Sequence, residues 1–440
     1  MRIVIISGTA PPEPMTAGRI HHDLAQHMAG ENNSVWFISP KPSRPLGTQY
    51  QDIRKDTVSR IADNCWHVRI NSFTYPAYNF FFRTYESIDF GIRSIRYVNR
   101  KIKDYDIIYV SPWAYLGQFM ILVLRKNKKV PVIMNVQDLY PESFLVRIKS
   151  KAVNWLLSPL YLLDRYNAVK STHITVISDT MKEVYTGKRG IVNSKISVIH
   201  NWQDESEFMK AQLPKEEILE KYKIPCFNGR FIFMYLGNIG PVAGVDTILN
   251  SFSKLEKEKS YLIIAGSGSS KDKCQLLARK LNITNLAFTE VPPGLKDVVE
   301  LQSIADILLL PINPEAANSS MPSKLIAYMF SGKPVITSAN EFSETAMAVK
   351  ISGCGWTTKT NDAKDWIEVL ELALKTNRET LASMGRSGFD YAIENYSKKE
   401  GLKRMSQLIN RLTGSYSLPG RFYDHREEMR ANYEWNEKQI

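Results

Sequence analysis

At 440 residues the chain exceeds what one hydrophobic core supports, and it divides most naturally into two domains of roughly 200 residues. Its 44% hydrophobic and 23% charged residues are ordinary globular composition. The formal charge of +12 sits entirely in the first half, with 27 Lys and Arg against 15 Asp and Glu in residues 1–200 and 30 against 30 in 201–440. Such asymmetry points that half toward something anionic, either membrane headgroups and phosphates or nucleic acid. Cys65, Cys226, Cys274 and Cys354 show no C-x-x-C spacing, which argues against a zinc site or disulfide framework and fits a reducing cytoplasm.

Met1 to Ser7 runs straight into Ala10-Pro11-Pro12-Glu13-Pro14 and reads as a buried strand, not a secretory leader. Short β-rich runs then alternate with helical stretches. Ile3–Ile6, Val35–Ile38, Ile107–Val110, Val130–Met134 and His173–Ile177 are predicted strands, and Arg19–Ala29 opens the helices. The longest apolar stretch, Tyr115–Leu124, is about half of the roughly 20 residues a membrane-spanning helix needs, so none is expected. The pattern restarts after a linker near Trp202–Pro225. Phe231–Leu236 is a strand, Val245–Leu255 a helix, and Tyr261–Ala265, Leu286–Phe288, Ile307–Leu310 and Pro334–Ile336 are further strands. Apolar runs without alternation, separated by helices, indicate parallel sheets covered on both faces. The expected fold is α/β, with two Rossmann-like doubly wound domains facing each other across a cleft. Their boundaries are drawn at 1–201 and 202–390, with a helix over 391–413 crossing back to the first domain and a tail over 414–440.

Open parallel sheets bind ligands at the carboxyl ends of their strands. The loop Gly237-Asn238-Ile239-Gly240-Pro241-Val242-Ala243-Gly244 follows the first strand of the second domain, and Gly266-Ser267-Gly268-Ser269-Ser270 follows the next. Glycines there allow backbone amides to approach a phosphate at a helix start, although strand-to-helix turns also use glycine for conformational reasons alone. A third element, Asn318 to Met329, places Pro322 and Ser323 at a helix start. Lys324 follows in the first turn, contrary to the helix dipole's preference.

Asp89–Lys103 presents Phe90, Ile92, Ile95, Val98 and Ile102 near one helical face, with Arg93, Arg96, Arg100, Lys101 and Lys103 around much of the rest. Phe80, Phe81, Phe82 and Arg83 precede it. The pattern suits a surface lying on an anionic bilayer, and an apolar face packed on the sheet would satisfy it equally.

The series Gly237-Asn238-Ile239-Gly240, Ile264-Ala265-Gly266-Ser267-Gly268, Pro322-Ser323-Lys324-Leu325 and Ser331-Gly332-Lys333-Pro334-Val335 resembles retaining GT-B glycosyltransferases of family 4, and within them the bacterial fucosaminyltransferase and colanic-acid type subgroup. Pro11-Pro12-Glu13 with Gly18-Arg19, and Val136-Gln137-Asp138-Leu139-Tyr140-Pro141-Glu142-Ser143, resemble the subgroup's first-domain loops. The matches run in order over roughly residues 1–412.

The resemblance implies transfer of a sugar from a nucleotide diphosphate donor, UDP-linked by expectation, to a polyprenyl-diphosphate-linked glycan, with retention, in capsule or O-antigen type polysaccharide synthesis. The enzyme would sit peripherally on the inner face of the cell membrane. Donor-binding candidates are Gly18, Arg19, Gly237, Asn238, Gly240, Gly266, Gly268, Val291, Ser320, Pro322, Ser323 and Lys324. Asp138, Glu142, Glu13 and Lys324 are the catalytic candidates, and Phe80, Phe81, Phe82, Arg83, Arg93, Arg96 and Arg100 the membrane or acceptor candidates. The sequence departs from the family where Ser319 and Ala327 stand at the positions of a paired glutamate, and where Asn238 and Ala243 replace cations of the first glycine loop. Positive charge toward the leaving diphosphate would then come from Lys324 and Arg19. No Asp-x-Asp cluster marks a strand end, so neither a metal nor a cofactor is expected. A non-hydrolysing sugar-nucleotide 2-epimerase is the rival enzyme; against it, the second domain has no histidine between His200 and His425. Nucleic-acid binding, the rival of another class, lacks a zinc finger, an RNP-type aromatic motif or a long basic run.

Overall fold

A computed structural model describes residues 1–414 apart from 46, 49, 51–53, 77–78, 112–113, 141, 143–157, 211, 226–228, 242, 292–293, 313–321, 342 and 360–361. The first sheet is built from β1 (Arg2–Ser7), β2 (Ser34–Pro40), β3 (Thr57–Ala62), β4 (Cys65–Ile70), β5 (Ile107–Ser111), β6 (Val132–Val136), β7 (His173–Val176) and β8 (Ile196–Val198), in the order β3-β4-β2-β1-β5-β6-β7-β8. All neighbours run parallel except β3 on β4. The sequence pattern does not announce this antiparallel edge. Thr57–Arg60 is exposed, so it carries none of the continuous apolar signal of a buried strand, and the turn depends on Asn64 at φ 55°.

Helices cover both faces of this sheet. On one side lie α1 (Thr16–Gly30) and, from the far end of the chain, the last helix. On the other lie α2 (Phe80–Tyr97), α3 (Ala114–Leu124) and α4 (Ser158–Lys170), while the short α5 (Asp179–Glu183) follows β7. Asn79 starts α2 by accepting from the amides of Phe81 and Phe82 (3.1 and 3.2 Å), satisfying two donors the first turn leaves free. Phe90, Ile95 and Val98 bury against the sheet, so the apolar face expected on this helix is a packing face.

The second domain follows α6 (Lys215–Lys221). Its sheet comprises β9 (Phe231–Leu236), β10 (Ser260–Ala265), β11 (Leu286–Thr289), β12 (Ile307–Leu310), β13 (Val335–Ser338) and β14 (Gly355–Thr358), all parallel, in the order β11-β10-β9-β12-β13-β14. The crossovers are α7 (Val245–Phe252), α8 (Lys271–Lys280), α9 (Leu295–Ser303), α10 (Ser323–Phe330) and α11 (Glu344–Ser352); α12 (Ala363–Lys375) and α13 (Arg378–Tyr396) pack around them. Strand order reverses beside β1 in the first sheet and beside β9 in the second, which makes a crevice at the carboxyl ends of those strands in each.

α14 (Lys398–Leu412) returns to the first domain, where Leu402, Met405, Leu408 and Ile409 join the core formed by β1, β2 and α1. The return is tied to the outgoing connection: Gln203 N–H donates to the Tyr396 carbonyl, Lys398 N–H to the Gln203 carbonyl, both at 3.0 Å, and Lys398 Nζ reaches Asp23 at 2.9 Å. Among the described residues no helix is long and apolar enough to cross a membrane.

Candidate functional site

A cavity of about 390 Å³ opens at the carboxyl ends of β1, β5, β6 and β7, lined by Gly8, Thr9, the first turn of α1, Ser111, Asn135–Asp138, Ile177 and Asn201. Its floor is a buried polar network. Asn135 Oδ1 accepts from Ser111 Oγ (3.0 Å) and Gln137 Nε2 (2.8 Å), and its amide donates to Thr175 Oγ1 (3.0 Å). His21 bridges Ser7 Oγ (2.8 Å) and Asn135 (3.2 Å), and Asn201 donates to Gln137 (2.9 Å). Enclosure removes the water a cation needs, so the His21 imidazole is lowered to about 4 and is neutral near pH 7. These bonds fix the Gln137-Asp138 turn at the end of β6. Asp138 projects from that turn on the cavity wall, with its carboxylate accessible but flanked closely enough that lost hydration raises it above the usual carboxylate range.

Two acidic candidates have other roles, which corrects the sequence reading. Glu13 is buried, does not line the cavity, and receives the backbone amides of Ser43 (2.7 Å) and Arg44 (2.9 Å) on Oε1. Glu142 is bound through both oxygens by Arg189 (2.9 and 2.8 Å), which also donates to Asp164 (2.8 Å), and it faces a separate cavity. Capping and ion pairing of this kind join residues 25 or more positions apart, so no local motif reveals them. Gly18 is also structural: a β-carbon there would lie 2.9 Å from Thr9 Oγ1, so it lets α1 pack against the loop after β1. Arg19 donates to the Trp202 carbonyl at 3.2 Å, at the connection between domains.

The donor-loop candidates of the second domain do converge. Ile239 N–H donates to Ser267 and Gly237 N–H to Ala265, both at 2.9 Å, so these amides zip the loops after β9 and β10 together and are not free for a phosphate. Gly266 has φ +146°, and a β-carbon on it would lie 2.0 Å from the Gly237 carbonyl oxygen; only glycine fits there. Gly268 packs as tightly on Ile239, and a β-carbon on Gly240 would meet the Asn238 side chain. Lys324 completes the group from the first turn of α10, whose start at Pro322 and Ser323 has no side-chain cap among the described residues. Its Nζ donates to Tyr235 Oη (2.7 Å) and lies 4.6 Å above that ring, while Tyr235 Oη donates to the Asn238 carbonyl (2.6 Å). No carboxylate pairs with Lys324 among the described residues, and burial lowers its ammonium to about 8. Val291 follows β11 and is partly buried against the domain core. Ala327 is buried on α10; Ser319 and Ser320 lie outside the described residues. Sequence reasoning missed Tyr235, whose place inside a strand gives no motif signal.

Of the membrane candidates, Phe81 and Phe82 are exposed at the start of α2, and Arg96 and Arg100 are exposed further along. Arg93 pairs with Asp89 (2.7 Å). Arg83 is half-buried and lies 3.4 Å from the buried Glu86. The Phe80 side chain lies outside the described residues. No group of His, Cys, Asp and Glu that could hold a metal occurs among the described residues.

Residues 17–207 match the family described as Glycosyltransferase Family 4, and residues 215–390 match Glycosyl transferases group 1. A Pseudomonas aeruginosa protein assigned as the glycosyltransferase WbjE is 22% identical over 284 residues, 64% of this chain and 68% of that protein. An Escherichia coli (strain K12) protein assigned to colanic acid biosynthesis, the glycosyl transferase WcaI, is 21% identical over 352 residues, 78% of this chain and 84% of that one. Among solved structures, sucrose-phosphate synthase from Thermosynechococcus elongatus superposes with a TM-score of 0.69 at 14% identity, covering 94% of this chain and 100% of that one. Anabaena HepE in complex with UDP gives 0.65 at 11%, covering 93% and 100%. WaaG, a glycosyltransferase involved in lipopolysaccharide biosynthesis, gives 0.61 at 15%, covering 94% and 100%. At such identities the superpositions establish the fold, and the two family matches favour sugar transfer over epimerisation or nucleic-acid binding.

Proposed function

The chain is a glycosyltransferase of GT-B architecture, and from that premise we propose that it transfers a sugar from a UDP-linked donor to a lipid-linked glycan in bacterial surface polysaccharide synthesis, with retention of anomeric configuration. The observation that carries this reading is the convergence of Lys324 with the two zipped glycine loops at the strand-order reversal of the second sheet. The relative assigned to colanic acid biosynthesis and the UDP-bound structural neighbour support it.

As the bond to the diphosphate breaks, its oxygens gain charge, and fixed cations and amides already directed at them lower the barrier. Lys324 and the amides of the first turn of α10 supply that stabilisation. The acceptor hydroxyl attacks from the leaving-group face, so no protein nucleophile is required. Asp138, at the first-domain cavity, orients that hydroxyl and accepts its proton; its raised carboxyl is better matched to this than an ordinary aspartate.

The test is product analysis. The protein is incubated with a panel of UDP-sugars and polyprenyl-diphosphate-linked oligosaccharides, and the product's anomeric configuration is read by NMR. Transfer with retention is expected. Epimerisation of the UDP-sugar, or transfer with inversion, overturns the proposal.

A further inference from the structure

A second cavity of about 350 Å³ lies outside the site described above, lined by Glu142, Tyr161, Leu162, Arg165, Lys188 and Arg189. One layer of side chains separates it from the first-domain cavity. Asp164 and Tyr185 line the first cavity and bond each other (2.8 Å); Arg189 lines the second, donates to Asp164 (2.8 Å) and is held by Glu142. Arg189 is thus spent on two carboxylates. Arg165 and Lys188 are not, since both are exposed and neither meets a carboxylate among the described residues. Arg165 is oriented by its Nε, which donates to the Arg189 carbonyl (3.0 Å), and its two terminal nitrogens meet no hydrogen-bond partner among the described residues.

The apolar surroundings of these cations are equally unusual. On α4, Leu162, Tyr166 and Val169 are exposed by 70%, 38% and 49%, and their spacing places them on one helical face beside Arg165. Two cations that meet no carboxylate among the described residues, bordered by an exposed apolar stripe, match an amphiphile with a phosphorylated head and a hydrocarbon tail. A sugar phosphate alone would leave the stripe in water, and a neutral lipid would leave the cations unmatched.

We propose that this second cavity is the subsite for the diphosphate of the lipid-linked acceptor, with its isoprenoid chain along Leu162, Tyr166 and Val169, so that the glycan enters the adjacent first-domain cavity beside Asp138. This rests on the lipid-linked acceptor proposed above. Arg189 separates the two cavities and joins them mechanically, because it fixes the Tyr140 carbonyl (3.2 Å) on the turn that follows Asp138.

The test measures binding of farnesyl diphosphate to the full chain, with UDP present throughout to occupy the donor site. Inorganic pyrophosphate, farnesol and vesicles of phosphatidylethanolamine with phosphatidylglycerol are the comparison ligands. The R165A/K188A variant is expected to lose farnesyl diphosphate affinity about tenfold or more, as loss of charge-assisted bonds to phosphate implies, with Tm unchanged and vesicle binding kept. Leu162→Asp is expected to weaken farnesyl diphosphate but not pyrophosphate. Wild-type affinity in R165A/K188A overturns the proposal. Loss of vesicle binding with farnesyl diphosphate affinity intact assigns the cations to membrane headgroups and overturns it too. Because the readout is binding, its failure is distinct from a failure to transfer sugar.

Discussion

In the proposed donor site Lys324 faces two opposing demands: holding a diphosphate calls for its charged form, yet it sits where burial lowers it to about 8. A bound diphosphate resolves the conflict by favouring the ammonium, so donor binding near pH 8 should draw a proton from solution. Calorimetry of UDP binding in buffers of different ionisation enthalpy is expected to show this uptake, and Lys324→Gln to abolish it. The unliganded protein has the opposite linkage. The unfolded lysine binds its proton more tightly than the folded one, so this group's contribution to stability rises as pH climbs from about 8 toward 10.5. Donor-dependent activity should instead fall over the same range as the cation is lost. Asp138→Asn is expected to lower kcat about a hundredfold or more with UDP affinity unchanged, since it removes the proposed proton acceptor and leaves the glycine loops of the second domain intact. An equal loss in UDP binding would show that the substitution had disturbed the fold instead.

The proposed donor site is legible at the level of elements because its glycines are local necessities. Gly237 and Gly266 end adjacent strands where one backbone passes against the other, a demand that shows in the sequence as glycine after an apolar run. Gly266→Ala is therefore expected to force the two loops apart and remove the thermal stabilisation by UDP, with β10 itself preserved. Circular dichroism and a thermal-shift titration would check both halves of that statement. Most strands were legible for the same reason, since buried parallel strands are continuous apolar runs. The β3–β4 edge was not, because an exposed strand gains its order from its partner. Glu13 and Glu142 misled for a related reason: their motif positions suggested chemistry, while their partners Ser43, Arg44 and Arg189 are brought to them only by the fold.

At the scale of the whole molecule, the excess positive charge and, among the described residues, the exposed aromatics occupy the same domain, while the proposed donor loops occupy the other. The domains are coupled through the strap formed by Trp202–Glu205 and Tyr396–Gly401, where Trp202 packs against Gly401 and bonds Asp23 (3.2 Å). A first domain resting on an anionic surface would then leave the second free to exchange donor and product. The α2 surface carries this expectation: Arg96 and Arg100 have no ion-pair partner among the described residues, and Phe81 and Phe82 stand out at the helix start. Arg93, by contrast, is partly neutralised by Asp89. Binding to phosphatidylglycerol-containing vesicles should weaken with salt, because a Debye length falls from about 10 Å at 0.1 M to about 3 Å at 1 M. Arg96→Glu with Arg100→Glu should weaken it further at low salt, by roughly 1 kcal/mol for each cation lost and more for reversal. Phe81→Ser should reduce the salt-resistant fraction instead, since its contribution comes from apolar burial in the interface. Vesicle sedimentation across a salt series separates these effects, and binding unchanged by all three substitutions would remove α2 from the membrane contact.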